Sequence, residues 1–242
     1  MGLTSPLPVT DAGTQVVVVL GTGTGVGKTW VSVGLARALR SLGAFVLALK
    51  PIETGVVPNG TMADSDAGQL ARASSALPGD PPYRLLDAVS PHLAARRASA
   101  PISLGVALTY VREQIALGAE FAPACVIVET AGGLLSPLAD GVTNWDLARG
   151  LEPALWLLVA PDALGVLHDL SATLEVMKGR GRAPDHVLLS AARDPDSSTG
   201  TNASELRRLG IADPSASFGR SDQADFLELA SSLLGLREKK KL

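Results

Sequence analysis

Residues 21–29, GTGTGVGKT, constrain the fold of this chain more than any other stretch of it. They follow directly on residues 15–20, QVVVVL, a β-branched run without polar alternation, which suits a strand covered on both faces as in a parallel sheet. After them, residues 30–42 carry Val31, Val33, Leu35, Ala36, Leu39 and Leu42 at near-helical spacing before Gly43 closes the segment. In this strand, loop, helix context the GKT ending reads as a Walker A phosphate-binding loop. Glycines let consecutive backbone N–H groups turn toward one oxyanion, the helix N-terminus adds positive partial charge, and Lys28 reaches the terminal phosphates. Thr29 places a hydroxyl where such loops ligate Mg²⁺, a hard cation that prefers oxygen. Gly21 and Gly27 enclose five residues where the usual spacing is four.

The rest of the chain repeats the alternation. Further buried strands are predicted at 44–49, 124–128, 154–160 and 186–190, and helices at 64–76, 102–117, 164–179, 203–209 and 222–236. Residues 56–100, rich in Pro, Ser, Asp and Ala, otherwise read as loop and short turns. The pattern predicts an α/β, P-loop NTPase-like fold: a doubly wound, mainly parallel sheet with helices on both faces, in one domain over 1–242. Ligands of such sheets collect at the C-terminal edges of the strands.

Composition narrows the function classes. A chain with 46% apolar and 19% charged residues is expected to be compact rather than disordered. A net charge of −3, with both signs spread along the chain, offers no cationic face for nucleic acid. Neither a basic leader with an apolar h-region nor a run approaching the ~20 residues of a spanning helix is seen, so a soluble, cytoplasmic protein without a membrane partner is expected. The lone Cys125, inside ACVIV, reads as a buried inert thiol in a reducing compartment. His92, His168 and His186 make no zinc spacing, and the lysine-rich end REKKKL reads as a solvated terminus.

A second polar cluster comes from strand edges. KPIETG sets Lys50 and Thr54 at the end of one strand, and CVIVE sets Glu129 at the end of another, followed by Thr130, Ala131 and Gly132. A carboxylate emerging from an apolar strand is where a phosphate-bound metal is held. Asp64 and Asp66 in ADSDAGQL offer further carboxylates, which also suit the N-cap and first turn of the helix that follows.

GTGTGVGKT, KPIETG, DSDAGQL, SPHLAA and VETAGGLLSPLAD occur here in the order seen in dethiobiotin synthetases, and the chain resembles that family over about residues 16–170. The five-residue loop spacing belongs to the resemblance. It implies an ATP- and Mg²⁺-dependent ligase that joins CO₂ to 7,8-diaminopelargonic acid and closes a ureido ring, acting in biotin synthesis. It further implies that Thr29, Asp66 and Glu129 hold Mg²⁺, and that Lys28 and Lys50 flank the carbamate and the transferred phosphoryl group, Lys50 matching the residue usually called catalytic. Thr24 and Thr54 would hydrogen-bond the diamine. Gly25, Val26, Gly27, Trp30, Thr130, Ala131 and Gly132 would complete the nucleotide site. A homodimer is implied as well, with the N-terminus of one subunit's helix near 164–168 meeting the distal carboxylate of the diamine bound to the other.

The chain departs from the family pattern in reading LGVLHD where LGxxNH is frequent, in Gly25 where many members carry glutamate, and in Thr130 where glycine is common. The segments after Val187 and around Phe218 do not follow the family's asparagine and G-x-x-P patterns, so ATP is the default nucleotide. Two other classes fit a phosphate-binding loop of this kind. One is an amidating ligase of the cobyrinic or cobyric acid synthase type, which usually carries an added glutaminase domain. The other is an ATPase switch like MinD and ParA, which typically shows KGGxGKT, whereas Thr22, Gly23 and Thr24 stand here without a lysine.

Overall fold

A computed structural model describes residues 13–57, 65–219 and 223–235. Its first unit is the expected one: β1 (Thr14–Gly21), then α1 (Lys28–Ser41), then β2 (Phe45–Leu49). Next come β3 (Ile52–Thr54), α2 (Asp66–Ala73), β4 (Tyr83–Leu85), α3 (Pro91–Arg97) and α4 (Leu104–Gly118). β5 (Ala124–Glu129) leads through β6 (Pro137–Ala139) and β7 (Val142–Thr143) into α5 (Asn144–Arg149). β8 (Leu155–Pro161), α6 (Val166–Gly179), β9 (His186–Ser190), α7 (Asn202–Arg208), β10 (Ala216–Ser217) and α8 (Gln223–Leu233) complete the order.

Six strands form one sheet in the order β10-β9-β8-β1-β5-β2, and every pairing in it is parallel. Along β1, Val16, Val18 and Leu20 enter one apolar cluster while Val17 and Val19 enter another. The first cluster is closed by α4, α5 and α6, and the second by α1, α2 and α8. Burial on both faces explains why the strands are apolar without alternation. Each such Val or Leu, with no exposed surface, is stabilised by roughly 1.5–3 kcal/mol relative to solvent exposure. α8 seats Phe226 directly on α1, where a Cβ on Gly34 would lie 2.4 Å from the ring.

Outside the main sheet, β3 pairs with β4 in parallel and β6 pairs with β7 antiparallel. These four short strands, with α3, α5 and β10, were not expected from the sequence, because two to seven residues carry too little periodicity to register. The helix expected at 64–76 is shorter, Asp66–Ala73, and its N-cap is Ser65, whose hydroxyl accepts from Gly68 N–H at 3.1 Å. Asp66 is therefore the first-turn acid and not the cap, while Asp64 lies outside the described residues. The basic tail also lies outside them.

β2 is the outer strand of the sheet, and its outward amides are occupied. Val46 N–H donates to Ser75 Oγ at 2.9 Å and Ala48 N–H to Ser74 Oγ at 2.8 Å, while Ser75 N–H donates back to Val46 O at 2.7 Å. Among the described residues no helix is long and apolar enough to cross a membrane.

Candidate active site

The loop between β1 and α1 turns on two glycines in the left-handed region, Gly25 at φ 73° and Gly27 at φ 90°. Gly27 caps α1 and has no room for a side chain, since a Cβ there would lie 2.6 Å from Ser190 Oγ. Ser190, at the end of β9, donates to Val26 O at 2.6 Å and so props the loop from beneath. Lys28 folds back to donate from Nζ to Gly23 O at 2.9 Å. Burial pushes its pKa down to about 8; Glu129 and Asp66 oppose that, and the like charge of Lys50 adds to it.

β5 lies between β1 and β2, with Val19 beside Glu129 on one flank and Leu49 beside Val128 on the other. That register brings Lys50, one residue past the end of β2, alongside Glu129 and the start of α1. Glu129 Oε1 accepts from Thr29 Oγ1 at 2.8 Å and from Lys50 Nζ at 2.8 Å. Lys50 Nζ also forms a close ion pair with Asp66 Oδ2 at the start of α2. Burial of Lys50 disfavours its charge, but the Glu129 and Asp66 carboxylates outweigh that and hold its pKa above the ordinary lysine value. The two carboxylates thus favour the charge of Lys50, whereas burial works against the charge of Lys28.

A cleft of about 510 Å³ opens over this cluster. Thr24, Gly25, Gly27, Lys28, Thr29 and Trp30 line one wall. Lys50, Thr54, Asp66, Glu129, Ala131, Gly132 and Ser136 line another, and the start of α3 closes it at Ser90 and Pro91.

The oxygens of Thr29, Asp66 and Glu129 suit a hard cation, and Glu129 Oε2 is buried without a hydrogen-bond partner. Among the described residues no group of three or more His, Cys, Asp or Glu could hold a metal. A cation here would thus draw on a hydroxyl and two carboxylates and leave positions for phosphate oxygens and water, which is the habit of Mg²⁺.

Comparison with known proteins places this geometry in a family. Residues 15–218 match the family model described as AAA domain. Over 202 residues the chain is 37% identical to an ATP-dependent dethiobiotin synthetase of Anaeromyxobacter sp. (strain K), covering 82% of this chain and 86% of that protein. Over 182 residues it is 36% identical to the ATP-dependent dethiobiotin synthetase of Caulobacter vibrioides (strain NA1000 / CB15N), covering 74% and 81%. The chain belongs to the dethiobiotin synthetase family.

Among solved structures, the septum site-determining protein MinD of Pyrococcus horikoshii, complexed with Mg-ADP, is similar at a TM-score of 0.51 and 17% identity, over 92% of this chain and 91% of that one. At that identity the likeness speaks for the fold alone.

Of the residues singled out by the resemblance to dethiobiotin synthetases, Thr24, Gly25, Gly27, Lys28, Thr29, Trp30, Lys50, Thr54, Asp66, Glu129, Ala131 and Gly132 come together around the cleft. Val26 and Thr130 do not line it. Val26 is buried and meets Ser190 through its carbonyl. Thr130 is fully buried, its hydroxyl donating to Val19 O at 2.9 Å, so its side chain faces the sheet and not the cleft.

Residues 164–168 also stand apart from the cleft. Leu164 and His168 are exposed, and Leu164 N–H donates to Asp196 Oδ2 at 2.8 Å.

Other residues shape the site without having been read from the sequence. Asn144 donates to Ala131 O at 2.6 Å and to Gly133 O at 2.8 Å, and Ser136 Oγ accepts from Gly133 N–H at 2.9 Å, so the loop after β5 is held on both sides. Glu53 accepts from the amides that open α2. The capping box spelled by Thr143 and Asp146 was the one available signal for Asn144. Glu53, in the middle of β3, and Ser190, at the end of β9, carried none, since a lone Glu or Ser usually faces water.

Proposed function

We propose that this protein is a dethiobiotin synthetase that uses ATP and Mg²⁺ to carboxylate 7,8-diaminopelargonate with CO₂ and close the ureido ring. The observation that carries this is the junction of Thr29, Lys50, Asp66 and Glu129 beside a phosphate-binding loop, in a chain belonging to that family.

The chemistry proceeds in three steps. One amine of the substrate attacks CO₂ and loses a proton, giving a carbamate. A carbamate oxygen attacks the γ-phosphorus of ATP, and ADP leaves. The second amine then attacks the carbon of the carbamic-phosphoric anhydride, and inorganic phosphate departs as that nitrogen loses a proton and the ring closes.

Lys28, neutralising β and γ oxygens, and Lys50, held rigidly by two carboxylates, set positive charge where the carbamate and the phosphoryl group meet. Preorganised charge is worth most here, because anion attacks anion. Thr29, Asp66 and Glu129 would hold Mg²⁺, whose contribution when bound is to offset phosphate charge. The loop amides of residues 25–30 orient the triphosphate, with Ala131 and Gly132 on its far side. Thr24 and Thr54, at the cleft margin, hydrogen-bond the diamine and fix which nitrogen faces Lys50. The chain acts as one domain and as a homodimer, the helix start near residues 164–168 serving the diamine held by the other copy.

Phosphate release by the purified protein should require both 7,8-diaminopelargonate and bicarbonate, with a product of the mass of dethiobiotin. Phosphate release indifferent to the diamine would mark a switch ATPase instead, and release that requires ammonia and a carboxylate substrate would mark an amidating ligase.

A further inference from the structure

Asp66 is the weakest-held member of the cluster around Lys50. Its side chain is 39% exposed, so packing does not fix it, and it stands in the first turn of a helix only eight residues long. The C-terminal end of α2 is pinned to β2 by Ser74 and Ser75. At its N-terminal end Ser65 Oγ accepts from Gly68 N–H within the helix, and the amides of Asp66 and Ala67 carry a tether from β3.

Glu53 supplies that tether. Its Oε1 accepts from Asp66 N–H at 2.6 Å and from Ala67 N–H at 3.4 Å, across thirteen and fourteen residues of chain. A carboxylate at a helix N-terminus meets both the unpaired amides and the positive end of the helix dipole. Glu53 is itself anchored: β3 pairs with β4, Ile52 is buried in the core, and Val56 N–H and Gly55 N–H bond to Leu85 O and Asp87 O. Glu53 is 4% exposed, and its Oε2 is buried without a partner, a cost that a merely incidental glutamate would escape by turning to solvent.

We infer that Glu53 is a positioning residue that fixes the first turn of α2 and thereby sets the Asp66 carboxylate against Lys50, at the place where the divalent cation is to be held. The inference rests on the assignment of Asp66 to the metal set. Glu53 does not line the cleft and acts on the site through the first turn of α2.

The test is a Mg²⁺ titration of ADP binding by calorimetry, without diamine, so that failure of ring closure would leave its outcome standing. Glu53→Ala should raise the Mg²⁺ concentration at half-saturation about tenfold, the usual scale for loss of an outer-shell partner, while metal-free ADP binding stays unchanged. Glu53→Gln keeps an acceptor oxygen at the same reach and should return close to the wild-type midpoint, whereas Glu53→Asp, one methylene short, should shift as Glu53→Ala does. In an Asp66→Asn background Glu53→Ala should add no further shift, since residues acting through one another are not additive. A folded Glu53→Ala protein with the wild-type midpoint, or full additivity with Asp66→Asn, overturns the assignment. Should Glu53→Ala fail to fold, a wild-type midpoint in Glu53→Asp overturns it equally.

Discussion

Lys50 Nζ donates to Glu129 Oε1 at 2.8 Å, joining the ends of two adjacent strands across the mouth of the phosphate-binding loop. Glu129 Oε1 is also the acceptor for Thr29, so a single carboxylate oxygen links the end of β2, the end of β5 and the start of α1. Displacing any one of these side chains disturbs the other two.

The two site lysines are expected to separate in their effects. Lys28→Gln should weaken nucleotide binding and turnover together, because Lys28 folds over the loop itself. Lys50→Gln should leave the nucleotide Kd within about twofold and remove turnover, as expected of a group that acts on the reacting atoms. Calorimetric Kd values beside single-turnover rates decide this, and equal loss of nucleotide affinity in both variants contradicts the division.

Gly27→Ala should damage the loop. The residue sits at φ 90°, a conformation costing an L side chain about 1–2 kcal/mol, and the new Cβ would stand 2.6 Å from Ser190 Oγ. The loop must give way, and ADP binding should weaken at least about tenfold, equivalent to ~1.4 kcal/mol. Ser190→Gly in the same chain should recover part of the loss, and a Kd unchanged by Gly27→Ala speaks against the tight seat.

Thr130→Val should be a stability variant and not a binding one. It removes the hydrogen bond to Val19 O from a fully buried site and keeps the shape, a cost of about 1 kcal/mol. Chemical denaturation should show that loss while the ADP Kd stays within about twofold. A large change in Kd would mean that the hydroxyl faces the phosphates after all.

Burial pushes the Cys125 thiol up to about 12 from its ordinary value near 9. The unfolded chain sheds this proton above pH 9 while the folded chain keeps it. The stability that Cys125 contributes is therefore complete below pH 9 and is lost as pH rises from there toward 12. Wild-type protein should lose stability more steeply than Cys125→Ala between pH 9 and 10.5 in denaturant titrations, and equal slopes would contradict the burial effect. Iodoacetamide should label Cys125 only after unfolding.

The central sheet was legible because β1, β5 and β8 are continuous apolar runs and because a Walker A loop can sit in few places. Lys50, Asp66 and Glu129 were legible through the resemblance, and Lys50 and Glu129 also as polar residues closing apolar strands. Most of what escaped was held by hydrogen bonds between residues far apart in the chain. Glu53 reaches α2 across residues 58–64, which lie outside those described, and Ser190 reaches Val26 across 164 residues of chain. Neither bond leaves a period in the sequence. The same holds for Thr130, whose orientation depends on where Val19 O happens to lie, whereas Ser65, by a local bond to Gly68 N–H, took the cap that the neighbouring aspartates also suited.

The hydroxyls of Ser74 and Ser75 bear on how copies of this chain can meet. An intruding strand seeking to extend the sheet beside β2 finds the donors of Val46 and Ala48 already spoken for, so fibril-like growth is closed at that margin. Crowded copies must instead meet there through side-chain surfaces, which leaves specificity and not backbone stickiness to govern their encounters.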